Sequence, residues 1–369
     1  MKPPCESLDN SVVFPRLRDD RPSFVSAVRQ TVKILLLQLK RIGDLILTTP
    51  AIAALRERFP EAEVTIVVSS ECTDLLPAIS GVDRILMARR NLSDFAAFLA
   101  VAGNKFDYCI DFTRNDRSAF LAFLSGARKR IVSYRVRDQS KSRARLYTDF
   151  VNVRMRDLHT IDYNLSLLKP LGIGGVSSSL HLQLPQSAHE KADALRRNWN
   201  VSKPYIVLHP GSARQEKLWE AGRWARVIER FNRDNDFDLI LTSGASKHEQ
   251  AHIAAIKNET KIIDLSGKTD LLTLAALIGE ARLLVTVDSA PMHLAAATHT
   301  PQVILFGPTN PFHWRPRESP ALILQGKTPE PVTEFSHVQP RLPMSQISTE
   351  AVISAMDFLL SQHAAARTS

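Results

Sequence analysis

Five short strings hold the residues able to do chemistry, and each one follows an apolar run. Lys40-Arg41-Ile42-Gly43-Asp44 follows ILLLQL, and His209-Pro210-Gly211-Ser212-Ala213-Arg214-Gln215-Glu216-Lys217 follows YIVL. Ser243-Gly244-Ala245-Ser246-Lys247-His248-Glu249 follows LILT, Asp288-Ser289-Ala290-Pro291-Met292-His293 follows LLVTV, and Gly307-Pro308-Thr309-Asn310 follows VILF. The glycine before Asp44 permits a tight turn that sets a carboxylate at the start of the next helix, where it either caps that helix or faces a cleft. The glycine turn, hydroxyl and lysine of the second string form a plausible cradle for a diphosphate, and a solvated loop reads equally well. In the fourth string Pro291 suits a first helical turn and Asp288 or Ser289 its cap. His293 is either a satisfied core histidine or a partner of Asp288 at the helix mouth.

Several familiar sites are absent. No GxGxxG marks a nicotinamide or flavin site, and no GxxxxGK[ST] marks a Walker loop. Asp234-Asn235-Asp236 precedes a strand instead of following one, so it reads as a turn and not as a metal site. No other carboxylate cluster suits a divalent metal. Cys5, Cys72 and Cys109 are odd in number and far apart, which indicates reduced thiols, two of them in the core.

The elements that position these strings alternate strand and helix. From Val32 the runs VKILLLQL, EVTIVVS, DRILMA and FDYCIDF read as buried strands, with amphipathic stretches such as LTTPAIAALRERF between them. A second alternation, PYIVL to QVILFG, repeats this after the Gly- and Ser-rich GIGGVSSS. The expectation is an α/β protein of two Rossmann-like, doubly wound parallel sheets with a cleft between them. Residues 1–30 read as a mobile extension, 31–185 as the first domain, 186–345 as the second, and 346–369 as a terminal helix.

Charge and composition narrow the partners. The chain has 369 residues, 44% hydrophobic and 23% charged, with a net charge of +9. Between Arg114 and Arg156 lie twelve Lys or Arg against three Asp, so this one segment carries the entire imbalance. A local anionic partner is implied: substrate phosphates, a membrane surface or nucleic acid. No recognisable nucleic-acid module accompanies the segment. No stretch approaches the roughly 18 apolar residues of a membrane span, and the start lacks the apolar core of a secretory signal, so a cytoplasmic protein is expected.

Taken in order, LKRIGDLILTTPAIAALRERFP, HPGSARQEKLWEAGRWARVI, LTSG, DLSGKTDLLTLAALI, VDSAPMHLAAA and LFGPTNPFHWRP resemble the heptosyltransferases of glycosyltransferase family 9. The likeness covers residues 32 to about 362. LTTPAI, VDSAPMH, HTIDYNLSLLKPLGI and FHWRPR look most like the lipopolysaccharide core heptosyltransferase III type. The resemblance implies a GT-B fold in which the first domain holds the acceptor, the second holds ADP-L-glycero-D-manno-heptose, and the last helix packs back on the first domain. It implies Asp44 as the catalytic base of an inverting transfer. It implies donor contacts at Gly211, Ser212, Lys217, Thr269, Asp288, Ser289 and His293. An acidic nucleotide contact of the family falls where this chain has His248 with Glu249 beside it. Lys40, Arg41, Arg114, Arg117, Arg135, Arg137 and Arg143 are the expected contacts to an anionic lipopolysaccharide inner-core acceptor. The basic segment then also suits the cytoplasmic surface of the inner membrane. No cofactor, no tightly held metal and no nucleic-acid partner are expected. The alternatives are a family member using another nucleotide sugar, or a sugar-nucleotide epimerase on the same architecture.

Overall fold

A computed structural model describes residues 31–88, 94–234 and 236–365. The first sheet comprises β1 (Lys33–Gln38), β2 (Glu63–Ser69), β3 (Arg84–Ala88), β4 (Tyr108–Asp111), β5 (Lys129–Ser133) and β6 (Asp149–Val151). The second comprises β7 (Tyr205–His209), β8 (Asp238–Leu241), β9 (Ile263–Asp264), β10 (Leu283–Val287), β11 (Gln302–Phe306) and β12 (Ala321–Gln325). Every strand pairing is parallel.

The orders are β3-β2-β1-β4-β5-β6 and β12-β11-β10-β7-β8-β9. Counted from its own first strand, each sheet therefore follows the same path. The chain starts in the middle, winds out to one edge and returns to fill the other side. The loops after β1 and β4 part in opposite directions, as do those after β7 and β10, and each parting opens a crevice beyond the strand ends. Asp44 follows β1, Lys217 follows β7, and Asp288 and His293 follow β10.

The central strands are covered on both faces, which is why they read as unbroken apolar runs. Ile34, Leu35, Leu36 and Leu37 are all fully buried, each contributing about 1.5–3 kcal/mol of transfer free energy. The sequence reading passes over β5, β6, β12 and the helix Gln186–Asn198. β5 and β6 lie inside the basic segment, where KRIVS and DFV offer too few apolar residues to register as strands. Cys72 and Cys109 are buried free thiols, while Cys5 lies outside the described residues. Asp234 ends the helix Ala221–Asp234 just before β8, at the sheet edge away from the strand carboxyl ends; Asn235 is outside the described residues.

The last helix corrects an expectation. Thr349–Ala365 begins at Ser348, whose hydroxyl accepts from the Ala351 amide at 3.1 Å. Instead of packing on the first domain, it lies on the second sheet. Ala351, Val352, Ala355, Met356 and Leu359 share one buried cluster with Ile206, Val285 and Val303. Trp219 Nε1 donates to Ile347 O at 3.1 Å just before the helix. The physical reason is that this face of β7, β10 and β11 needs more cover than the helix Ala221–Asp234 supplies.

The two halves meet along an apolar cluster that runs from Leu45 and Ile46 to Leu274 and Leu294. Polar contacts clasp the seam at one end. Arg317 donates to Asp162 through both nitrogens, at 2.8 and 2.7 Å. His159 Nε2 meets Arg315 O at 2.9 Å, His313 Nδ1 meets Leu158 O at 3.0 Å, and Ser178 donates to Glu318 at 2.5 Å.

Candidate functional site

The loop after β1 folds at once into the short helix Ile42–Ile46, with Arg41 as its N-cap residue. Asp44 thus sits inside the first turn and does not cap the helix. Its carboxylate is 3.8 Å from Lys40 Nζ, and both side chains are largely shielded from water. Burial pushes the Asp44 carboxyl above its ordinary value, while Lys40 and the Arg41 backbone amide pull it back down. Burial likewise pushes Lys40 down, opposed by Asp44 and reinforced by Arg114. The result is a carboxylate with its proton affinity raised in the direction a general base requires, and a cation beside it.

The second half supplies the facing wall. Lys217 Nζ lies 2.6 Å from Asp288 Oδ2 and 3.1 Å from Asp288 O. Thr309 Oγ1 donates to the same carboxylate oxygen at 2.5 Å. Ser289 is the N-cap residue of the helix Ala290–Ala297 but makes no side-chain cap. Pro291 has no N–H and the Met292 amide donates to Ser289 O at 3.2 Å, which leaves the Ala290 amide to an anion in the cleft.

Glu249 is held differently. A Cβ on Gly244 would come within 2.6 Å of Oε2, and one on Gly211 within 2.7 Å of Oε1, so the two glycines make room for the carboxylate. Ser246 Oγ donates to Oε2 at 2.5 Å. His248 turns away and its Nε2 meets Ser212 O at 2.8 Å. Between the two residues left open by the sequence, Glu249 faces the cleft and His248 does not.

Two buried histidines back this wall. His209 Nδ1 meets Thr242 Oγ1 at 2.9 Å, and burial lowers its pKa to about 4. His293, also lowered to about 4 by burial, leaves Nδ1 without a partner. Both rings are neutral at pH 7. They can donate or accept one hydrogen bond but bring no charge.

These residues enclose a cleft of about 490 Å³. Of the residues singled out from the sequence, Arg41, Asp44, Gly211, Ser212, Lys217, Glu249, Thr269, Asp288, Ser289 and His293 line it. Lys40 stands against Asp44. Arg114, Arg117, Arg135, Arg137 and Arg143 are not part of the wall, and some of them serve the fold. Arg143 pairs with Asp116 and donates to Arg114 O. Arg137 stacks 3.9 Å over the Phe150 ring, and Arg114 covers Tyr163. Elsewhere in the basic segment Arg130 donates to Leu146 O and Ala127 O. The side chains of Arg135, Lys141, Arg145 and Arg154 have no protein partner among the described residues.

His209, Thr309 and Trp314 also line the cleft; they lie in strings that the sequence singles out, but the sequence gives none of them a role. Glu71 and Asp74, likewise in the wall, are not singled out. Glu71 and Asp74 follow β2 in a 3-10 turn that carries no glycine or motif to flag it.

Comparison with known proteins agrees with this geometry. The profile of glycosyltransferase family 9 (heptosyltransferase) matches residues 95–341. The chain is 28% identical over 330 residues to lipopolysaccharide heptosyltransferase 3 of Escherichia coli, covering 86% of this chain and 96% of that one. The glycosyltransferase family 9 structure from Veillonella parvula superposes with a TM-score of 0.76 at 26% identity, over 90% of this chain and 97% of that one. The E. coli heptosyltransferase WaaC with ADP shares the fold, with a TM-score of 0.66 at 17% identity, over 89% of this chain and 100% of that one. The two-sheet GT-B architecture expected from the sequence is the one observed.

Proposed function

The chain belongs to glycosyltransferase family 9 (heptosyltransferase), and from that premise we propose that it moves a heptose from ADP-L-glycero-D-manno-heptose to a hydroxyl of the lipopolysaccharide inner core, with inversion at the anomeric carbon. One observation carries the reading. A shielded carboxylate from the first half, Asp44, shares a single cleft with a lysine, an uncapped helix start and a seated carboxylate from the second half.

In this reading the second half holds the donor. Glu249 accepts from the ribose hydroxyls, since an ionised carboxylate offers two oxygens to a vicinal pair. The diphosphate lies against Lys217 and the Ala290 amide at the helix start after Ser289. The acceptor hydroxyl approaches from the first half. Its oxygen bonds to the anomeric carbon, its proton passes to Asp44, and the bond from that carbon to the diphosphate oxygen breaks to release ADP. Attack opposite the leaving group inverts the configuration. Positive charge on the sugar and negative charge on the diphosphate both grow in the transition state, as in glycoside cleavage. Lys217 answers the second of these, so the scheme has no resident metal.

The unpartnered cations Arg135, Lys141, Arg145 and Arg154 belong to the same reading. They suit a lipid-anchored anionic acceptor and the surface of the inner membrane on its cytoplasmic side, where a protein bearing them would dock peripherally. No helix among the described residues is long and apolar enough to cross a membrane.

The test is ADP release from ADP-heptose by the purified protein, with and without a deeply truncated lipopolysaccharide acceptor. Acceptor-dependent release that Asp44→Asn loses is the expected result. Release or isomerisation of the sugar nucleotide without acceptor, or indifference to Asp44, overturns the reading.

A further inference from the structure

Beside the main cleft lies a second pocket of about 270 Å³, which shares Arg214 and Thr309 with it. Its other walls include His313, His337, Gln339 and Arg341. The pocket is held together by the chain itself. Asn310 Nδ2 donates to Ser336 O at 2.9 Å and to His337 O at 3.3 Å, stapling the segment around His337 to the loop after β11. The edges of the His313 and His337 rings both meet Phe312.

We propose that this pocket is a subsite for an anionic substituent, a phosphate monoester or a sugar-acid carboxylate, on the acceptor saccharide. The inference rests on the heptosyl-transfer reading above. Two guanidinium groups and the His337 imidazole line one small space and can donate into it, while His313 spends its Nδ1 hydrogen on Leu158 O and fixes the wall; that set of donors matches an oxyanion. Among the described residues the only carboxylate paired within the set is Glu216, on Arg214. Arg341 has no protein partner among the described residues. The Oε1 of Gln339 is buried without a hydrogen bond among the described residues, an unmet acceptor that a hydroxyl of the same saccharide satisfies by donating to it.

Position selects the acceptor over the donor. The donor's two phosphates are accounted for at Lys217 and the Ser289 turn. The pocket includes Thr309 of the loop after β11, which β10 and β7 separate from β8 and the Glu249 seat, and it touches the first half through the bond from His313 to Leu158 O. An anionic group anchored there belongs to a molecule that spans the seam, as an acceptor presented to Asp44 must.

The experiment compares the full-length protein with Arg341→Ala and His337→Ala, both at exposed positions, using native and phosphatase-treated acceptor. The expected result is a rise of about tenfold in acceptor KM, with kcat and the KM for ADP-heptose unchanged. A penalty that vanishes on the phosphatase-treated acceptor assigns the group as phosphate, and one that persists assigns it as carboxylate. Acceptor KM unaltered in both variants overturns the subsite. If the unmodified protein transfers to no acceptor, the transfer reading fails, and the pocket is judged on its own by titrating inorganic phosphate while following the His337 ring signals by NMR. Shifts that Arg341→Ala abolishes support an oxyanion site, and their absence in the unmodified protein overturns it.

Discussion

The imidazole of His293 rests on the backbone of Gly43, so closely that a Cβ at position 43 would lie 2.7 Å from its Cδ2 and 3.1 Å from its Nε2. One residue comes from the turn after β1 and the other from the helix after β10, so the contact sets the spacing of the halves next to Asp44. Gly43→Ala is expected to cost about 1–3 kcal/mol, the usual penalty of overpacking, and to lower turnover. Adding His293→Ala should remove the stability cost. Thermal unfolding of the two single variants and the double checks this, and an undiminished cost in the double would mean that the strain arises elsewhere.

Asp44 must be ionised to act as a base, and burial holds its pKa above the ordinary carboxylate value. As pH falls, kcat/KM should therefore drop earlier than for an ordinary aspartate. Lys40 pulls that pKa down, so Lys40→Met is expected to move the acid limb to still higher pH. Asp44→Asn should lose about 10²- to 10⁴-fold in kcat, the usual worth of a positioned base. The measurement is a pH profile of kcat/KM, and a limb that stays in place in Lys40→Met rules out the pairing as a tuning device.

Lys217 and Asp288 are both mostly buried, at 12% and 8% side-chain exposure. Lys217→Ala removes a cation from the leaving diphosphate, worth about 3–4 kcal/mol in the barrier, and leaves Asp288 with Thr309 alone. Breaking such a pair costs about 3–5 kcal/mol. Lys217→Ala with Asp288→Ala is accordingly expected to be more stable than Lys217→Ala, although both should bind ADP weakly by calorimetry. Equal stability of the two variants would show that Asp288 does not need its cation.

Three buried histidines make stability depend on pH. Burial lowers His159 to about 3 and His209 and His293 to about 4. The unfolded chain binds these protons at about 6.5, so between that value and the folded ones the unfolded state takes up more protons. Stability is thus full above about pH 6.5 and declines on acidification, by about 1.4 kcal/mol per pH unit for each histidine. Denaturant unfolding from pH 7 to 4.5 checks the slope, and His209→Gln should make it shallower.

Much of this was legible in the sequence for a physical reason. Residues that follow buried apolar runs must emerge at one edge of a parallel sheet, so Asp44, Lys217, Asp288 and Glu249 could be gathered before any fold was known. The basic segment misled in part. Charge along a chain does not reveal which cations are spent on carbonyls and rings, as Arg130 and Arg137 are. The last helix was misplaced because its apolar stripe says that it must be covered, not by what. Likewise HTIDYNLSLLKPLGI and FHWRPR stood out as strings, but nothing in them shows that Asp162 and Arg317, 155 residues apart, form a bidentate pair.

That clasp bears on inheritance. Asp162 lies early and Arg317 late, so a recombination crossover anywhere between them would pair one ancestor's Asp162 with another's Arg317. In the proposed transfer donor and acceptor loops sit on separate halves and invite exchange between relatives. Chimeras joined between residues 162 and 317 should therefore assemble well only when both ancestors carry matching clasp residues, and these two strings must then travel through descent together.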